Sequence, residues 1–186
     1  MTHGPRIIRK RVFLGCQGDS ERSYGTFLHR LIETKGRLHI DAVPLQPGAG
    51  DPLATVERAV RMLKKRESTF GAYAVRAILL DYDQWGLAKD RDCQVMPLAK
   101  RHRIHLIWQN PTHEALLLRH ITGRESHKPQ TAKEALRRLR AKWNDYEKGI
   151  PANYLSGKLT VVEVQRACTA EPDLCTFLDG LGYFKP

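Results

Sequence analysis

Apolar positions along the chain follow two alternating rhythms: short continuous runs, and runs spaced three and four residues apart. Val12–Cys16 (VFLGC) is a short apolar run ending at a polar turn, the pattern of a buried strand. The period then changes. Tyr24, Phe27, Leu28, Leu31 and Ile32 share one side of a predicted helix running roughly from Glu21 to Lys35. Leu38–Val43 reads as a second strand, followed by the glycine- and proline-rich loop QPGAGDP. That loop ends with Asp51 at a predicted N-cap and Pro52 at the first position of a helix continuing to about Arg66. Ala74–Leu80 (AVRAILL) is the clearest buried strand, and it ends directly in Asp81-Tyr82-Asp83. Leu87–Arg101 is predicted helical with an interruption near Pro97. Ile104–Trp108 is a fourth strand, and Thr112–Ile121 a short helix capped by Thr112 after Pro111. After the loop GRESHKPQ, Thr131–Trp143 forms a strongly basic helix, and two more short helices are expected from about Asn153.

Strands alternating with helices predict an α/β fold, a parallel sheet of about four strands flanked by helices, with a helical C-terminal appendage. The expected organisation is a basic tail over 1–11, a core over 12–125 and a helical extension over 126–186 packed on that core. Ligands of open parallel sheets bind outside the carboxyl ends of the strands. Two polar clusters fall at such ends: Gln17-Gly18-Asp19-Ser20-Glu21 after the first strand and Asp81-Tyr82-Asp83 after the third. A strand order of 2-1-3-4 would bring them face to face.

Composition narrows the partner class. The chain has 186 residues and a formal charge of +11. That balance points to a polyanion, most often nucleic acid, held through counterion release. A membrane surface is the rival, but no lipidation motif is present, and no apolar run approaches the ~20 residues of a membrane span. The basic N-terminal stretch has too short an apolar segment for a secretory signal. Cys16, Cys93, Cys168 and Cys175 form no CxxC pair, so reduced thiols and a cytoplasmic location are expected.

The candidate chemistry follows from the residue types. Asp81 and Asp83 offer hard oxygen ligands for Mg²⁺ or Mn²⁺, Asp81 directly and Asp83 from the turn, and Glu21 adds a third carboxylate. A cation held there polarises a phosphodiester, and nearby lysines or arginines neutralise its charge. Asn110, His113 and Glu114 follow the fourth strand and would line the same cleft if that strand adjoins the third, Asn110 and His113 as substrate contacts and Glu114 as a metal ligand or a support to one. Each has a plainer reading: Asn110 as a strand terminator with Pro111, His113 as a structural histidine, Glu114 as compensation for a helix dipole. Lys148 and Lys158 are candidates for holding a phosphate. Arg137 and Arg138, with Arg140 and Lys142, are candidates for gripping a nucleic-acid backbone without reading its sequence. Solvated surface charge is the alternative for all of them. Trp85 and Trp108 are candidates for base stacking, with core packing the better account of Trp108.

Several of these segments together resemble the RloB family, a Toprim-like group associated with phage defence. The string FLGCQGDSERSYGTFL resembles the family's opening CEGExTExxYF pattern, and GAGDPLATVERA its glycine loop and following helix. LLDYDQWG resembles its strand-end DxD, QNPTHEALLLRH its NPCFELWLLLH, and WNDYEKGIP its later YxKG stretch. The likeness extends from about Val12 to Gly149. It implies a Toprim-like sheet whose acids bind Mg²⁺ or Mn²⁺, and a metal-dependent nuclease acting on RNA, tRNA among them, or on DNA in an anti-phage system. It also implies an ABC-type ATPase partner, and leaves a homo-oligomer open. Asp81 and Asp83 match the DxD, and Glu21 matches the second acid of the EGxxE form in overcoming-lysogenization-defect nucleases. Gln17 stands where the family has glutamate. An amide exchanges no proton at neutral pH and is a poorer Mg²⁺ ligand. The alternatives are therefore a silenced or weakened enzyme, an enzyme in which Asp19 or Glu21 takes over, and a non-catalytic module that binds nucleic acid or the ATPase partner.

Overall fold

The computed structural model describes residues 9–33, 38–45 and 51–184. Four strands, β1 (Lys10–Cys16), β2 (Leu38–Pro44), β3 (Val75–Asp81) and β4 (His105–Gln109), form one all-parallel sheet in the order β2-β1-β3-β4. Eight helices are described: α1 (Asp19–Glu33), α2 (Pro52–Phe70), α3 (Lys89–Arg101), α4 (His113–Arg119), α5 (Ala132–Arg140), α6 (Ala152–Lys158), α7 (Val161–Cys168) and α8 (Pro172–Gly180). This is a helix-flanked parallel sheet consistent with a Toprim-like α/β fold carrying a helical C-terminal part.

Side chains alternate across the strands, so each strand feeds two cores. Val12, Leu14, Cys16, Ala77, Leu79 and Ile107 pack on one face with Tyr24, Phe27 and Leu28 of α1. The same core takes in Leu139 of α5, Trp143, Tyr146 and Leu174 of α8. Phe13, Ile78, Leu80 and Leu106 pack on the other face with Val56 and Leu63 of α2 and Val95 of α3. Helix α1 lies close against the sheet because it carries Gly25: a Cβ there would stand 3.0 Å from both the Ala42 Cβ and the Leu14 Cδ2.

Local signals explain the boundaries of α2. Asp51 caps α2, its carboxylate accepting the Leu53 N–H at 3.0 Å, with Pro52 opening the helix. The helix runs past the expected end at Arg66 to Phe70, stopping where Gly71 takes a φ of 83°. Pro97 lies inside α3 without ending it. The residue is exposed, so water can reach the carbonyl its ring leaves without a donor. Strand β1 starts at Lys10, inside the stretch expected to be tail, because Lys10 already pairs with Leu38. The C-terminal segment holds three helices rather than two. Residues 1–8 of the tail, 34–37 at the expected end of α1 and 46–50 of the glycine-rich loop lie outside the described residues.

The C-terminal helices are tied to the sheet by polar contacts as well. Arg119 of α4 forms a buried ion pair with Glu171, just before α8. At the β4 edge, the Asp173 carboxylate accepts the Trp108 N–H at 3.4 Å, and its carbonyl pairs with His105 Nε2 at 2.7 Å. An otherwise open strand edge is thereby covered. Among the described residues, no helix is long and apolar enough to cross a membrane.

Candidate functional site

The strand order makes β1 and β3 neighbours, and the two loops leaving their carboxyl ends meet. The Gln17 Oε1 accepts the backbone N–H of Asp81 at 3.0 Å. Because a backbone N–H must donate, this contact also fixes which end of the Gln17 amide faces β3. Asp81 Oδ1 in turn accepts the His113 N–H at 2.9 Å, bringing the start of α4 to the same place. Glu21 folds back on its own loop, its Oε2 accepting the Gly18 N–H at 3.0 Å. Glu114 is buried, with Oε2 accepting the Thr112 hydroxyl at 2.9 Å. Thr112 occupies the N-cap position of α4, but its side chain serves Glu114 and not the helix N–H groups expected of a cap.

A segment from the C-terminal part closes the cleft. The Gly149 N–H donates to Ser20 Oγ at 2.8 Å, and the Tyr146 hydroxyl lies 3.5 Å from Glu114 Oε1. Lys148 brings its ammonium to 3.5 Å from the same Glu114 oxygen while staying 65% exposed. Gly149 turns there with a φ of 79°, a left-handed conformation that suits glycine. The result is a cleft of about 390 Å³ lined by Gln17, Glu21, Asp81, His113, Glu114 and Lys148, among others.

Three buried or half-buried carboxylates in one cleft repel each other. Burial, reinforced by the charges of Glu21, Asp83 and Glu114, pushes the Asp81 carboxyl up to about 8. Burial also raises the Glu21 carboxyl, with Glu114 adding to it and Lys148 opposing. His113 is pushed down to about 4 by burial and is therefore a neutral imidazole at pH 7. Its Nδ1 contacts the Gln109 amide nitrogen at 2.7 Å, while His113 Nε2 and Gln109 Oε1 are buried without a hydrogen-bond partner.

The remaining candidates lie elsewhere. Asp83, expected to reach Asp81's ligand from the turn, is exposed and does not line the cleft, although its charge is felt at Asp81. The reason is local: the Tyr82 and Asp83 N–H groups both donate to the Pro111 carbonyl, which turns the chain outward after Asp81. Asn110 is exposed, and its carbonyl accepts Arg119 Nη2 at 2.6 Å. Lys158 pairs with Asp145 at 3.8 Å and covers the Tyr154 ring, outside the cleft. Arg138 is engaged by Glu134 at 2.5 Å and Arg137 is exposed on α5, so neither lines the cleft. Sequence reasoning passed over Tyr146 and Ser20, which brace Glu114 and the closing segment. The signal available was their place inside the YEKG and GDSE strings.

Carboxylate oxygens are the donors that hard divalent cations take, and Glu21, Asp81 and Glu114 line one cleft. As they stand, however, no three His, Cys, Asp or Glu side chains among the described residues are grouped tightly enough to hold a metal ion. Comparison with family models, curated proteins and solved structures gave no match.

Proposed function

We propose that the chain is a divalent-metal-dependent phosphodiesterase acting on nucleic acid, with the cleft between β1, β3 and α4 as its active site. The observation that carries this reading is the convergence of Glu21, Asp81 and Glu114 with Lys148 in one cleft at the carboxyl ends of adjacent parallel strands. Asp81 and Glu21, with Glu114, would hold Mg²⁺ or Mn²⁺, which when bound supplies charge neutralisation at the phosphate and at the leaving oxygen. Lys148, exposed at the rim, binds a phosphate oxygen. Gln17 positions the loop against Asp81 and, as an amide, exchanges no proton at neutral pH. The net charge of +11 favours a polyanionic substrate. The likeness to RloB proteins adds a role in anti-phage defence, an ABC-type ATPase partner and a cytoplasmic setting to the proposal.

Gln17 also supports a second reading, a non-catalytic module that binds nucleic acid or the partner ATPase. The amide stands at the family's glutamate position, and the carboxylates are not grouped as a ready metal site. One experiment separates the two. The chain, its Gln17→Glu variant and its Asp81→Asn variant are incubated with end-labelled tRNA, single-stranded RNA, single-stranded DNA and duplex DNA in Mg²⁺ or Mn²⁺. The enzyme reading expects cleavage by the chain or by Gln17→Glu, and none by Asp81→Asn. Salt-dependent binding with no cleavage by any of the three leaves the binding module.

A further inference from the structure

We propose that Tyr82, Trp85 and Trp108 form a stacking platform for an unpaired nucleobase beside the carboxylate cleft, and that the substrate is therefore single-stranded nucleic acid. The inference rests on the nucleic-acid reading of the cleft and adds the substrate class to it.

The three rings form one cluster. Trp85 and Trp108 have centroids 4.9 Å apart at 69°, Tyr82 and Trp108 5.5 Å at 80°, and Tyr82 and Trp85 6.3 Å at 31°. Trp85 and Trp108 are partly buried and pack against the core beneath them, as expected for Trp108, while Tyr82 is 39% exposed and the neighbouring Leu87 73% exposed. Such apolar surface is unusual in the loop that carries Asp83 directly after β3, and it lies at the carboxyl ends of the strands, where ligands of parallel sheets bind.

The platform is also held rigidly. The Tyr82 N–H donates to the carbonyls of Gln109 and Pro111, both at 3.0 Å, and the Trp85 N–H to the Tyr82 carbonyl at 3.0 Å. Trp108 sits in β4 opposite Leu80, one position before the Asp81–Gln109 pair. Strand alternation therefore turns Trp108 to the α2–α3 face and Asp81 to the cleft side of the same edge. Tyr82 directly follows Asp81, so a strand crossing this edge can place a phosphate at the carboxylates and lay the adjacent base on the rings. Aromatic stacking of this kind accepts any base but needs it free of a duplex.

Binding is measured in EDTA, so that cleavage plays no part. The full chain is titrated with a labelled oligouridylate of about a dozen nucleotides, within the site sizes such proteins cover. Fluorescence anisotropy and tryptophan emission are read together. Trp143 is buried at 7% exposure, so quenching reports on Trp85 and Trp108. The proposal expects quenching on binding, a loss of affinity of about tenfold or more in Tyr82→Ala and Trp85→Ala, and retained affinity in Tyr82→Phe. Equal affinity of Tyr82→Ala and the parent chain overturns it. So does equal binding and quenching by a blunt duplex, or a dimer of the free chain that Tyr82→Ala converts to monomer. Cleavage that is indifferent to Tyr82→Ala removes the platform and leaves the nuclease. Tyr82-dependent quenching without cleavage in Mg²⁺ or Mn²⁺ removes the nuclease and leaves the platform.

Discussion

The amide oxygen of Gln17 accepts the backbone N–H of Asp81 at 3.0 Å, so the residue that leaves β1 pins the last residue of β3. Removing the acceptor in Gln17→Ala leaves that N–H without its partner and costs about 1–3 kcal/mol. Gln17→Glu keeps an acceptor but adds a negative charge beside Asp81 and Glu21. The expected outcome is a lower melting temperature than the parent chain in EDTA, with most of the loss recovered in Mn²⁺. Differential scanning fluorimetry of the three proteins with and without Mn²⁺ checks this.

Asp81 gives a pH dependence of definite sign. Its carboxyl is raised from 3.8 to about 8 in the folded chain by burial and neighbouring carboxylates. Between those values the folded state binds more protons than the unfolded one, so its favourable contribution is full below 3.8 and is lost as pH rises through about 8. Asp81→Asn, neutral throughout, is therefore predicted to be more stable than the parent chain near pH 8 and to lose that advantage toward pH 4. Urea unfolding across this range in EDTA measures the difference. A gap that widens on acidification would refute the assignment.

His120 works in the opposite direction. It is fully buried; its Nδ1–H donates to the Leu116 carbonyl at 2.9 Å, which leaves Nε2 to accept the Tyr24 hydroxyl at 3.0 Å. Burial lowers its pKa from 6.5 to about 4, so the stability it contributes is present above 6.5 and lost as pH falls toward 4. Tyr24→Phe strips the donor from a buried ring nitrogen and costs about 1–3 kcal/mol. Chemical denaturation at neutral pH tests the size of the loss.

Lys148 separates function from stability. Its side chain is 65% exposed and 3.5 Å from Glu114, a geometry in which an ion pair adds little to folding. Lys148→Met is predicted to leave the unfolding midpoint within a degree or two while reducing cleavage or nucleic-acid affinity about tenfold or more. A large thermal shift with unchanged affinity would make it a structural lysine.

Much of the fold was legible because the sheet is parallel and buried on both faces. Runs such as VFLGC and, after Arg76, AILL then stand out as continuous apolar segments. The meeting of Gln17 with Asp81 followed from the strand order. Asp83 was harder to place. Spacing in a DxD says nothing of the Pro111 carbonyl that turns both following N–H groups, and the residue with them, out of the cleft. Lys148 and Lys158 look alike in the sequence. Only the fold brings the first to Glu114 and gives the second to Asp145. Tyr146 braces Glu114 across a sequence gap of 32 residues that no local pattern reports.

The most direct test is a crystal of the chain soaked in Mn²⁺, with anomalous scattering used to locate the ion. The account predicts a peak in the cleft within coordination distance of Asp81 and of Glu21 or Glu114, absent from Asp81→Asn crystals treated alike. A fully soaked crystal with no anomalous density between these carboxylates would contradict it.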